Sequence, residues 1–199
     1  MSRIHTLLIL AGALALGLAV GPHLAPTAAG DLVTRASWKD IFDTPAALAK
    51  GVDAIALVTA GSTEPSRSVA GDYDSSPVSF VLNHFIVNEA LKGGLTPGAQ
   101  ITVEQTAERH GDGALVGIDS DGGPYVGGQQ YLVYLQRQAG TGYWYVVSFQ
   151  GRYNIEAGRL VGVHAHDPVV QAIQFQTVAQ ALAAVRGHLG TGVIRGSTD

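Results

Sequence analysis

The chain has 199 residues, no cysteine, and 12 Lys and Arg against 16 Asp and Glu, a formal charge of −4. Without cysteine it has no disulfides, no thiolate catalysis and no thiolate zinc site. With no Lys/Arg cluster it lacks the phosphate contacts that a nucleic-acid partner requires.

Residues 1–29 read as a signal peptide. Arg3 and His5 open it, Leu7 to Val20 is an unbroken apolar run, and Thr27-Ala28-Ala29 supplies small residues for cleavage before Gly30. The run is short against the ~20 residues of a membrane-spanning helix, and a membrane contact follows only if the segment stays uncleaved. No cysteine follows it, which closes the lipoprotein route. Signal removal leaves eleven basic against sixteen acidic residues. The remainder, 30–190, is sized for one domain with its own core, and 191–199 reads as a flexible tail.

Asp31 to Phe42 is a mixed leading segment. Thr44-Pro45 then offers an N-cap and an N1 proline for a short helix that Gly51 ends. "DAIALVTA" (53–60) is apolar enough for a strand buried on both faces. "SFVLNHFIVNEAL" (79–91), "QITVEQT" (100–106), "QYLVYLQR" (130–137) and "YWYVVSF" (143–149) read as further strands, and "RYNIE" and "RLVGV" as a hairpin about Ala157-Gly158. Between them, 61–77 reads as a polar loop, and 107–128 as a loop with seven glycines and four acids. Asp167-Pro168 starts a helix, and Thr177 with Gln180 forms a capping box. Val178, Ala181, Leu182, Val185 and Leu189 then make one apolar stripe. The expected fold is mainly β with flanking helices. A small, partly open, antiparallel β-barrel is plugged at one end by the amphipathic C-terminal helix.

"VDAIALVTA", "NEALKGGLTPGAQITVEQT", "GGPYVGGQQYLVYL" and "YVVSFQGRYNIEAGRLVGV" stand in this order within residues 44–186. In order and spacing they resemble a family of uncharacterised exported bacterial proteins. That family is similar to the oligonucleotide/oligosaccharide-binding (OB) barrel of netrin-like domains and tissue inhibitors of metalloproteinases. The resemblance implies an OB-like barrel and, as a further alternative, a metalloprotease-inhibitor-like role. Those inhibitors act through a mature N-terminal cysteine held by disulfides; this chain has none, so no inhibitory residue carries over.

Candidate sites are few. His164 and His166, in "HAHD", fall on one face if strand geometry continues, about 6.6 Å apart, and such a pair can hold zinc. His84, His110 or Asp112 would supply a third ligand. The competing reading ends the strand there, with Asp167 capping the helix that Pro168 opens. Asp119 and Asp121, in "DSDGG", begin like a calcium loop, but its twelfth position is Gln130 rather than Glu, which leaves a weaker calcium site of Asp119, Asp121 and Asp112 against the reading of an acidic solvated turn. Glu108, His110 and Asp112 offer an acid/base trio without a visible cleft. His84 reads as a core or rim histidine with a hydrogen-bond partner. There is no nucleophile elbow and no phosphate-cradling loop. Tyr143, Trp144 and Tyr145 stand in an aromatic-rich sheet and offer a ligand-binding platform. The leading expectation is an exported, non-enzymatic binding module for an extracellular protein, peptide or glycan, with no cofactor and no nucleic acid. The alternative is a metal-binding protein or metal-dependent hydrolase using His164 and His166.

Overall fold

In the computed structural model, residues 40–70, 77–109, 114–117 and 122–190 are described. The signal segment, Trp38, His110, Asp112, Asp119, Asp121 and the tail lie outside them. Among the described residues no helix is long and apolar enough to cross a membrane.

The short helix α1 spans Pro45–Gly51. Thr44 is extended at its N-cap, and its hydroxyl accepts from the Ala47 amide at 3.1 Å. Strands follow at β1 (Ala54–Ala70), β2 (Pro77–Lys92), β3 (Gln100–Arg109), β4 (Leu115–Gly117), β5 (Gln130–Arg137), β6 (Trp144–Val146), β7 (Arg152–Glu156) and β8 (Arg159–Gly162). Two helices close the fold, α2 (Pro168–Ile173) and α3 (Val178–Gly190).

Five strands close a ring in the order β1-β2-β3-β6-β5, because β5 also pairs with β1. β7 continues from β5, β8 pairs with β7, and β4 pairs with β3. The expected mainly β, OB-like architecture with a C-terminal helix is therefore present, as a ring with strands attached rather than a clean barrel. Nor is it wholly antiparallel. β6 meets β3 in parallel through Val103 and Trp144, since the chain reaches β6 by a tight turn from β5 and so runs along β3 in its own direction.

Alternation explains the continuous apolar runs. Ala54, Ala56 and Val58 of β1, with Tyr131, Val133 and Leu135 of β5, face the ring interior beside Phe85, Val103 and Trp144. Their neighbours Ile55, Leu132 and Tyr134 face outward into a second core with Tyr153, Leu160 and all three helices. A strand buried on both faces cannot show polar alternation.

Further sequence expectations need correcting: within the loop expected at 107–128, residues 107–109 end β3 and 115–117 form β4. Residues 61–70 are not loop: β1 runs on to Ala70 and pairs with β2 as an exposed ribbon, with bulges between Ala60 and Thr63 and between Pro65 and Ser68. Its polarity marks exposure, and a proline and bulges suit an edge. The strand expected over 143–149 stops at Val146, because the Ser148 hydroxyl caps a 3-10 turn at Phe149–Gly151. This turn buries Gln150, whose amide bonds both backbone groups of Phe42 and the Asp167 carboxylate. Finally, α3 does not plug an end of the ring. Ala181, Leu182 and Val185 lie in the outer core instead.

The ring mouth beside Phe85 and Tyr131 is filled by residues 122–126. Tyr125 meets both rings edge-on, at 4.8 and 4.9 Å between centroids. The buried Arg152 guanidinium lies 3.8 Å from the centre of Tyr125 and donates to the Gly123 carbonyl at 2.7 Å. Gly122 has φ +89°, and a Cβ there would stand 2.6 Å from a Val163 methyl, so this close approach requires glycine.

Candidate functional site

The helices cover the outer side of β1, β5, β7 and β8 but reach β2 only at its end, through the Glu89–Arg186 ion pair and Lys92 donating to the Ala49 and Lys50 carbonyls. Register fixes what the remaining outer face carries. Phe80, Leu82, His84, Ile86 and Asn88 alternate outward along β2, opposite Thr106, Glu104, Thr102 and Gln100 of β3. No described helix packs over this face, and Ile86 is 43% exposed on it.

Two polar clusters cross three strands here. In the first, His84 Nε2 lies 3.1 Å from Glu64 Oε1, while its Nδ1 is 3.1 Å from Gln100 Nε2 and 3.2 Å from Thr102 Oγ1. An ionised carboxylate only accepts, so Nε2 carries the proton, and Nδ1 accepts from the Gln100 amide. His84 therefore has the partners expected of it, on the open face rather than in the core. Asn88 and Thr59 bond one another further along the same face.

The second cluster centres on Glu104. Its side chain is 5% exposed, and Arg67, 48% exposed, reaches it from the β1 bulge. Arg67 donates from Nε at 3.0 Å to one carboxylate oxygen and from Nη2 at 2.8 Å to the other. Ser66 donates at 3.2 Å and Gln138, in the β5–β6 turn, at 3.0 Å. The Arg67 guanidinium also lies 5.0 Å from the centre of the Phe80 ring. Burial on its own would raise the Glu104 carboxyl. The bonds from Arg67, Gln138 and Ser66, with the guanidinium charge, outweigh it and hold the group below its ordinary 4.5.

The sequence-derived candidates fall elsewhere. His164 and His166 lie beyond the end of β8, exposed, in the turn before α2. The His164 ring lies against Phe149, with 4.5 Å between ring centres and the planes tilted by 51°. Asp167 is committed to capping: Oδ1 accepts from the Val169 and Val170 amides, and both oxygens accept from Gln150. Among the described residues, no three His, Asp or Glu side chains are grouped as metal ligands. Asp119 and Asp121 lie outside those residues, as do His110 and Asp112, the partners proposed for Glu108.

The aromatic trio is split. Trp144 points into the ring core, 5% exposed, with the Arg137 guanidinium 4.3 Å from its ring. Tyr143 is half-buried in the turn, and Tyr145 is exposed, its hydroxyl donating to Gln136. Partial burial and the charges of Asp40 and Asp53 push the Tyr145 phenol up. Phe149 sits in the 3-10 turn, beyond the end of β6.

Sequence reading missed Glu104, Arg67 and Gln138. In "QITVEQT" Thr102 and Glu104 alternate with Ile101 and Val103, which sets Glu104 on a polar face, but nothing in the sequence joins it to an arginine 37 residues earlier. No protein-family model matches the chain, and no curated protein matches it significantly.

Proposed function

We propose that this is an exported, non-enzymatic binding module whose partner, a protein or peptide, docks on the outer face of β2 and β3. The observation that carries this reading is the one-sided cover of the ring. Helices bury one flank, while the other holds ordered hydrogen-bonding side chains on rigid strands, which lose little entropy on binding. The signal-like residues 1–29 support export. The strand order supports a relation to OB-like exported domains, a scaffold that hosts many unrelated functions.

Panning a random peptide library against the purified domain tests this. Peptides enriched on the wild type lose binding to Ile86→Asp and Thr102→Arg variants and keep binding to a Gln171→Arg variant on the helical flank. Equal binding to all three overturns the open-face reading.

The alternative, a metal-dependent protein using His164 and His166, rests on their spacing. Metal analysis separates the two: the binding-module reading expects less than stoichiometric zinc. One zinc per chain that disappears in the His164→Ala/His166→Ala variant would establish the alternative.

A further inference from the structure

We infer that Glu104, Phe80 and Gln138 form a seat for a guanidinium group, which Arg67 fills within the chain and an arginine side chain of a protein partner can take in its place. The inference deepens the open-face reading by naming the chemistry of its partner.

The two halves of the Arg67–Glu104 pair are held very differently. Glu104 is buried in the middle of β3, a ring strand paired on both sides. Arg67 is half-exposed, on a bulge of the ribbon beyond the last residue that β1 pairs with β5, Thr59. The acceptor is therefore fixed, while the donor hangs from the edge of the fold.

The seat also has the shape that a guanidinium requires. Both carboxylate oxygens take N–H bonds from Arg67, the fork geometry that a lysine ammonium cannot reproduce. The Phe80 ring supplies a cation–π face. Gln138 donates to the carboxylate through its nitrogen, while its own Oε1 is buried without a hydrogen-bond donor. A guanidinium carries five N–H groups; Arg67, tethered to its bulge, places two nitrogens on Glu104 and leaves that oxygen unpaired, whereas an arginine entering from another direction can turn a further N–H toward it. The net charge of −4 favours a cationic partner. Exchange conserves the pairing: Arg67 goes to solvent, the partner's guanidinium replaces it, and the buried carboxylate is never left uncompensated, the state that costs most.

The probe is N-acetyl-L-argininamide, with the uncharged isostere N-acetyl-L-citrullinamide as control. Argininamide raises the Tm of Arg67→Ala and shifts the backbone amides of Glu104 and Gln138. Citrullinamide does neither, and Arg67→Ala/Glu104→Gln does not respond. Wild type needs about tenfold more argininamide for the same response, because its tethered Arg67 competes at high effective concentration. A folded Arg67→Ala that ignores argininamide, or treats citrullinamide alike, overturns the seat.

Should Arg67→Ala fail to fold, the wild-type Arg67 Nε–H resonance gives the answer. Excess argininamide moves it to the position of a solvated arginine, and an unmoved resonance overturns the proposal. This test is separable from the panning experiment. Enriched peptides that lack arginine but still need Thr102 leave the open face standing and remove only the seat.

Discussion

Glu104 keeps its charge at the floor of a sheet face, and its neighbours set the pH range over which that charge helps the fold. A carboxyl held below its unfolded value contributes fully above that value and loses the contribution as pH falls through the folded one. Replacing Glu104 by Gln removes the charge-assisted bonds from Arg67, which is half-exposed and partly screened. The expected loss at pH 7 is about 1–2 kcal/mol by urea denaturation. Below pH 4.5 the gap between wild type and Glu104→Gln narrows, because the unfolded chain takes up the proton at the ordinary value while the folded carboxyl, held lower, stays ionised until pH falls through its own value. A gap that stays constant down to pH 3 contradicts the assignment. At this scale the sequence was legible where partners are local. Thr44, Asp167 and Thr177 cap the amides expected of them. Glu104 was not, since its donors come from positions 66, 67 and 138.

Elements with their own punctuation were readable almost to the residue. α1, β5, β7 and α3 have their turn and cap residues written beside them. In α3 the capping box closes as expected: the Gln180 amide donates to the Thr177 hydroxyl at 3.3 Å, and the Thr177 amide to Gln180 Oε1 at 3.0 Å. Thr177→Ala is expected to lower stability by about 1 kcal/mol, a fall of about 3 °C in Tm. Leu182→Ala, which hollows the outer core beneath the same helix, is expected to cost about 3 kcal/mol. If calorimetry finds the two losses equal, the packing of α3 against the ring is misassigned. The β1 ribbon was misread for a physical reason. Its side chains need no apolar alternation, because neither face of its distal half is a core, and its pairing is held by backbone bonds to β2.

At the scale of the molecule, composition and strand count pointed to a small ring, but not to which face it leaves uncovered. Helix placement decides that. The apolar stripe of α3 fits any apolar surface of the right width, and only the outward row Ile55, Leu132, Tyr134 and Tyr153 selects the β5 side. Burial in this packed flank pushes the Tyr134 and Tyr153 phenols up. The ring mouth, closed by Tyr125 and Arg152, is likewise filled by the chain's own side chains. The outer face of β2 and β3, which no described helix covers, is the proposed docking face. Amide chemical-shift mapping of the ¹⁵N-labelled domain with a panned peptide tests this most directly. The account predicts that the largest shifts fall in residues 80–86 and 100–106, with 168–190 unmoved. The largest shifts in α2 and α3, or around Tyr125, would contradict it.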